Sequence, residues 1–178
     1  MDKRIFVMAA VMTFITVTVL AIAQDKKPLS PKATASVTFA DGKTVIVEYS
    51  QPSMRGRKIF GGLVPYDHVW RTGANAATSL KTDANLTIGG TAVPAGSYTL
   101  YTLPGESSWQ LIINKQTGQW GTTYDQGQDL ARIPMKVTQR PSGLEILTIS
   151  FDKTGGDSAI LKLEWENTIA SVEVKQQK

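Results

Sequence analysis

The sequence contains no cysteine in 178 residues. That absence excludes disulfides, a lipid-modified cysteine anchor and the thiolate ligand sets of structural zinc, so the fold must rest on a hydrophobic core. Histidine occurs once, at His68, which excludes multi-histidine metal centres. No metal and no cofactor is expected. The formal net charge is +4, but the basic residues form no run and no stripe with interleaved aromatics, so nucleic acid is not an expected partner. A Gly-x-Ser-x-Gly nucleophile elbow is missing too. The acidic turns Asp125 to Asp129 and Asp152 to Asp157 lack the alternating ligands and distal Glu of a calcium loop and read as solvated turns.

Long apolar runs are absent except at the start, where Met1 to Arg4 is charged and Ile5 to Ala23 is almost wholly apolar. The run closes on Ala21-Ile22-Ala23, the small-x-small pattern that signal peptidase subsites accept. A signal peptide over residues 1–23, cleaved before Gln24, is therefore expected, with a retained anchor as the alternative. The remainder would be periplasmic or secreted, with no membrane span after cleavage. Residues 24–32, with Pro28 and Pro31, read as a linker. Residues 33–178 read as one domain, long enough to bury about two thirds of its unfolded surface.

Within that domain no window keeps apolar residues at helical spacing. Alternation is everywhere instead. Val45, Val47 and Tyr49 alternate with Thr44, Ile46 and Glu48 after Asp41-Gly42, which predicts a hairpin around a two-residue turn. Tyr98, Leu100 and Thr102 alternate with Thr99, Tyr101 and Leu103, and Leu111-Ile112-Ile113 predicts a strand buried on both faces. Leu147, Ile149 and Phe151 share one face, as do Leu161, Leu163 and Trp165. Short strands punctuated by Gly and Pro predict an all-β, single-domain β-sandwich, jelly-roll-like, with a closed barrel as the rival architecture.

Two stretches break the strand rhythm: Gln51 to Gly73, and Gln116 to Arg132, "QTGQWGTTYDQGQDLAR". Such long connections in a compact domain are usually functional or mobile. The first lies in "YSQPSMRGRKIFGGLVPYDHVWRTGAN", which is followed by "VPAGSYTLYTLPGESSWQLIINK" and "QWGTTYD". With these blocks most of the chain resembles the bacterial domain-of-unknown-function family 2911. The resemblance implies an exported, β-rich single domain and supplies no substrate, cofactor or catalytic residue. In that family the first block commonly continues Gly-Ala-Asn-Glu-Ala, and Ala76 stands here where the Glu would be. An acid, base or metal ligand beside Arg71 and Asn75 is thereby lost.

The chemistry left to read is cationic and aromatic. Arg55, Arg57 and Arg71 offer planar donor forks for carboxylate, sulfate or phosphate, and Trp70 stands beside Arg71. The alternative is that the arginines tie the loop down by donating to its own carbonyls, with Phe60 and Trp70 as buried pegs. Trp120 and Tyr124 could add an aromatic platform for a sugar or a peptide. The expected ligand-binding set is therefore Arg55, Arg57, Trp70, Arg71, Asn75, Trp120 and Tyr124, with no catalytic residue. It implies a binding domain for a small anionic or carbohydrate-like ligand, or for an envelope partner. A hydrolase of envelope polysaccharide or peptide, with Ser53 and His68 or two convergent carboxylates, is the second reading. A structural envelope protein is the third.

Overall fold

The computed structural model describes residues 29–178. The expected signal peptide and most of the expected linker lie outside the described residues. The rest is nearly all β, with a single 3-10 turn at Gln126–Gln128. The nine strands are β1 (Lys32–Thr38), β2 (Thr44–Ser50), β3 (Thr78–Thr82), β4 (Leu86–Ile88), β5 (Thr91–Val93), β6 (Gly96–Pro104), β7 (Trp109–Asn114), β8 (Asp129–Lys153) and β9 (Ser158–Gln176). They form one open antiparallel sheet in the order β1-β2-β3-β6-β7-β8-β9-β4-β5. No helix among the described residues is long and apolar enough to cross a membrane.

Strand β8 turns that one sheet into two layers. Its first residues, Asp129 to Met135, pair with β7, and from Lys136 onward it pairs with β9. The sheet thus folds over, and a single core takes Val45, Val47, Leu80 and Leu111 from the first half and Leu147, Leu161, Trp165 and Val172 from the second. Across the open seam the buried Tyr49 hydroxyl accepts from the Ile149 amide at 2.9 Å, and Gln51 donates to the Leu147 carbonyl at 3.2 Å. Side chains from β2 and the residue beyond it therefore satisfy backbone groups on the free edge of β8, which would otherwise be left without partners.

The alternation of Val45, Val47 and Tyr49 is realised, with all three buried. The hairpin turn is one residue longer than expected. The Phe39 amide donates to Lys43 at 2.8 Å and Gly42 to Phe39 at 3.0 Å, so Ala40-Asp41-Gly42 makes a three-residue loop. Gly42 at φ +87° supplies the left-handed residue this loop type needs. Leu111, Ile112 and Ile113 are fully buried, as the unbroken apolar run predicts. The second irregular stretch is shorter than expected, because β8 already begins at Asp129.

Candidate functional site

Residues 51–77 form an ordered excursion held from three directions. Ile59, Phe60 and Val64 plug into the core, where Phe60 meets Trp70, Trp109 and Trp165 edge-on at ring-centroid distances of 6.0, 4.7 and 6.3 Å. Trp70 exchanges both backbone hydrogen bonds with Thr102 of β6, at 2.8 and 2.9 Å. Its ring stacks on Trp165 of β9 at 5.9 Å with planes 17° apart. Carboxylates and arginines share the loop's remaining side-chain ties. Glu145 accepts the Arg55 amide at 2.9 Å, and Glu166 accepts the amides of Ile59 and Phe60, each at 3.3 Å.

The backbone after Trp70 is strained. Thr72, a β-branched residue with no exposure at all, sits at φ +57°, and Asn75 follows at φ +62°. A left-handed β-branched residue costs of order 1–3 kcal/mol and persists only where its surroundings hold it. Here the Thr72 hydroxyl contacts the Thr102 hydroxyl at 3.2 Å, and Thr78 donates to the Thr72 carbonyl at 2.9 Å. This turn fixes Arg71 and Trp70 side by side.

Below them lies a cavity of about 240 Å³ whose lining includes Arg57, Leu63, Trp70, Arg71, Ala74 and Trp165. Two arginines face it, and neither a carboxylate nor His68 is part of its lining. The two differ in a decisive way. Arg57 spends two donors on its own loop, at 2.8 Å to the Met54 carbonyl and 2.7 Å to the Ser53 carbonyl. The Arg71 side chain has no hydrogen-bond or ion-pair partner among the described residues, and its Nε–H is fully buried and unsatisfied. Its stem runs beneath Gly121, where an added Cβ would lie 2.0 Å from Arg71 Cδ and 2.6 Å from the Asn75 carbonyl oxygen. Only glycine fits that crossing.

Gly121 belongs to the second irregular stretch, so the two stretches meet here. The Gly121 amide donates to the Asn75 carbonyl at 3.1 Å, and Ala76 bridges to Trp120. Residues 30–174 match the family described as "Protein of unknown function (DUF2911)". The chain belongs to that family. Comparison with curated proteins and with solved structures finds no match. In this DUF2911 domain Arg57 of the "RGRKIFGG" segment and Trp70, Arg71, Gly73 and Ala74 of the "VWRTGAN" segment line the cavity together with Trp165 of β9.

Of the seven residues expected at a ligand site, Arg57, Trp70 and Arg71 converge on the cavity. Arg55 turns away and donates to the Leu29 carbonyl at 3.3 Å. Asn75 contributes its carbonyl to Gly121. Trp120 is exposed and is not part of the cavity lining. Tyr124 is held elsewhere: it packs edge-on against Tyr101 at 4.9 Å, donates to Asp129 at 2.6 Å and accepts from Arg132 at 2.6 Å. Burial, reinforced by the Asp129 carboxylate, pushes the Tyr124 phenol up to about 12.

Ser53 and His68 are not brought into a pair. Ser53 bridges to Ile146, whereas His68 Nδ1 lies 2.8 Å from the Tyr66 carbonyl, so that nitrogen carries the proton in the neutral ring. Sequence reasoning placed Trp165 on the core face of its strand without seeing its stack on Trp70. It missed Glu145 and Glu166 as anchors, because their partners are 90 and 107 residues away in sequence.

Proposed function

We propose that this DUF2911 chain is an exported binding protein that holds a small anionic ligand in the Arg71 cavity, with Trp70 and Trp165 packing against the ligand's apolar part. The observation that carries the reading is the buried, unpartnered Nε–H of Arg71. Leaving such a donor unsatisfied costs about 1–3 kcal/mol, and more beside a charge; an anion's oxygen recovers it once the Arg71 side chain turns its Nε–H toward the cavity that the residue lines. Arg57 adds a second positive charge, and the cavity lining contains no carboxylate to compensate either. About 240 Å³ lies below the usual range of ligand pockets, which suits a phosphate, a sulfate or a short carboxylic acid and not a sugar chain. The lining also favours binding over hydrolysis, since general acid–base chemistry needs a titratable pair there.

Calorimetric titration of residues 24–178 with phosphate, sulfate, acetate and succinate tests this. At least one anion should bind saturably, and Arg71→Lys, which keeps the charge and loses the fork, should weaken it about tenfold without lowering the melting midpoint. Equal binding by Arg71→Lys, or no binding by any of the four, would refute the proposal. Export is part of the same reading and rests on the apolar run before Gln24. Mass spectrometry of the protein recovered from cell fractions should then find Gln24 as its first residue, and an intact Met1 would count against cleavage.

A further inference from the structure

A larger cleft, of about 330 Å³, lies on the outer face of β1, β2 and β3 and shares no lining residue with the Arg71 cavity. Its floor follows from strand register. Thr34 stands opposite Glu48, Glu48 opposite Ser79, and Ser79 opposite Thr99 of β6. Because Val47 and Tyr49 face the core, their alternating neighbour Glu48 faces outward, and the cross-strand row faces outward with it. The row ends under the second irregular stretch, where Thr99 donates to the Gln116 carbonyl at 2.7 Å and accepts from Gln119 at 3.2 Å.

Within the cleft the polar groups are uncommitted. The side chains of Lys32, Thr34, Glu48 and Ser79 make no hydrogen bond or ion pair among the described residues. One cation, one carboxylate and the hydroxyls of Thr34, Ser50 and Ser79 give a mixed donor and acceptor surface with no net charge. Such a surface complements hydroxyl groups, each of which donates and accepts, better than it complements an anion or a polycation.

Trp120, which is 60% exposed, lies outside the cleft's own lining but next to it in the backbone. It bridges to Ala76, which lines the cleft, and antiparallel bridge partners share a face. Its backbone is fixed from several sides. Ala77 donates to the Gln119 carbonyl at 3.4 Å, Thr123 to the Trp120 carbonyl at 2.9 Å, and the Gln119 side chain reaches the Tyr101 hydroxyl at 3.0 Å. An exposed indole on a clamped segment is a rigid apolar platform that loses little entropy when something stacks on it.

We infer that this cleft is a saccharide-binding site, in which Trp120 stacks on the C–H face of a pyranose while Thr34, Glu48 and Ser79 bond its hydroxyls. It is independent of the anion proposal, and each can fail alone. The test is titration of residues 24–178 with cellotetraose, chitotetraose and mannotetraose, followed by calorimetry and by tryptophan fluorescence. At least one should bind at millimolar concentration or below and shift the indole emission. Trp120→Ala should weaken that binding about tenfold, and Glu48→Gln by a smaller factor, with the melting midpoint of both variants unchanged. Absence of binding by all three, or wild-type affinity in both variants, would overturn the assignment.

Discussion

The two irregular stretches cross at Gly121, yet they treat their arginines in opposite ways. In the second stretch and the start of β8, Arg132 donates to Asp129 at 3.0 Å and to Tyr124 at 2.6 Å, and Asp129 also takes the Asn114 amide at 2.8 Å. That network is complete and acts as a strut. In the first, the Arg71 side chain is more enclosed and has no partner among the described residues. The second stretch is not wholly satisfied either, since the buried side-chain oxygens of Gln116 and Gln119 lack partners, but Arg71 is the charged side chain left with a buried unpartnered donor, beside a strained backbone.

The comparison breaks most visibly if the first stretch loses its peg. Phe60→Ala removes the ring that touches three tryptophans and should cost about 3–5 kcal/mol in urea denaturation, with new proteolysis at Arg55, Arg57 or Lys58. A loss below about 1 kcal/mol would mean that the loop is held by its backbone alone. Next in size is the crossing itself. Gly121→Ala drives a methyl into Arg71 and the Asn75 carbonyl and should cost about 1–3 kcal/mol, separating the two stretches.

Removing the strut is milder. Tyr124→Phe deletes the hydroxyl shared by Asp129 and Arg132 and should cost about 1–2 kcal/mol near neutral pH. Its pH signature has a definite sign. The folded phenol titrates at about 12 and an unfolded one at about 10, so its contribution is fully present below about 10 and is lost as the pH climbs toward about 12. Burial raises Tyr98 and Tyr101 as well, so alkaline destabilisation persists in Tyr124→Phe with a flatter slope. An unchanged slope would remove Tyr124 from the account. The smallest effect is the most telling: Arg71→Met discards an unpartnered donor, so the melting midpoint should stay level or rise, whereas a strut arginine would lower it.

Much of the sheet was legible because alternation is a local signal. Val45, Val47 and Tyr49 declare their face by spacing, and the unbroken Leu111 to Ile113 run declares two-sided burial. The long strand β8 was not legible before Leu147, because Pro134 and Pro141 and the polar residues between them look like a break. Its pairing with β9 indeed shifts register after Gln139. The arginine cluster could be picked out by composition, but its division of labour could not. Arg57 satisfies itself on carbonyls three and four residues back, a local event, whereas the state of Arg71 depends on Gly121 and Trp165, far along the chain. The Thr34, Glu48 and Ser79 row was invisible for the same reason, since register is a property of pairing and not of any one strand.

The central claim concerns one N–H group, and it can be watched directly in an arginine Nε proton–nitrogen correlation spectrum during titration with phosphate, sulfate, acetate and succinate. The Arg71 Nε–H resonance should move saturably with at least one of them while that of Arg132 stays in place. Resonances of all the arginines drifting together without saturation, or an Arg71 signal that never moves, would contradict the account.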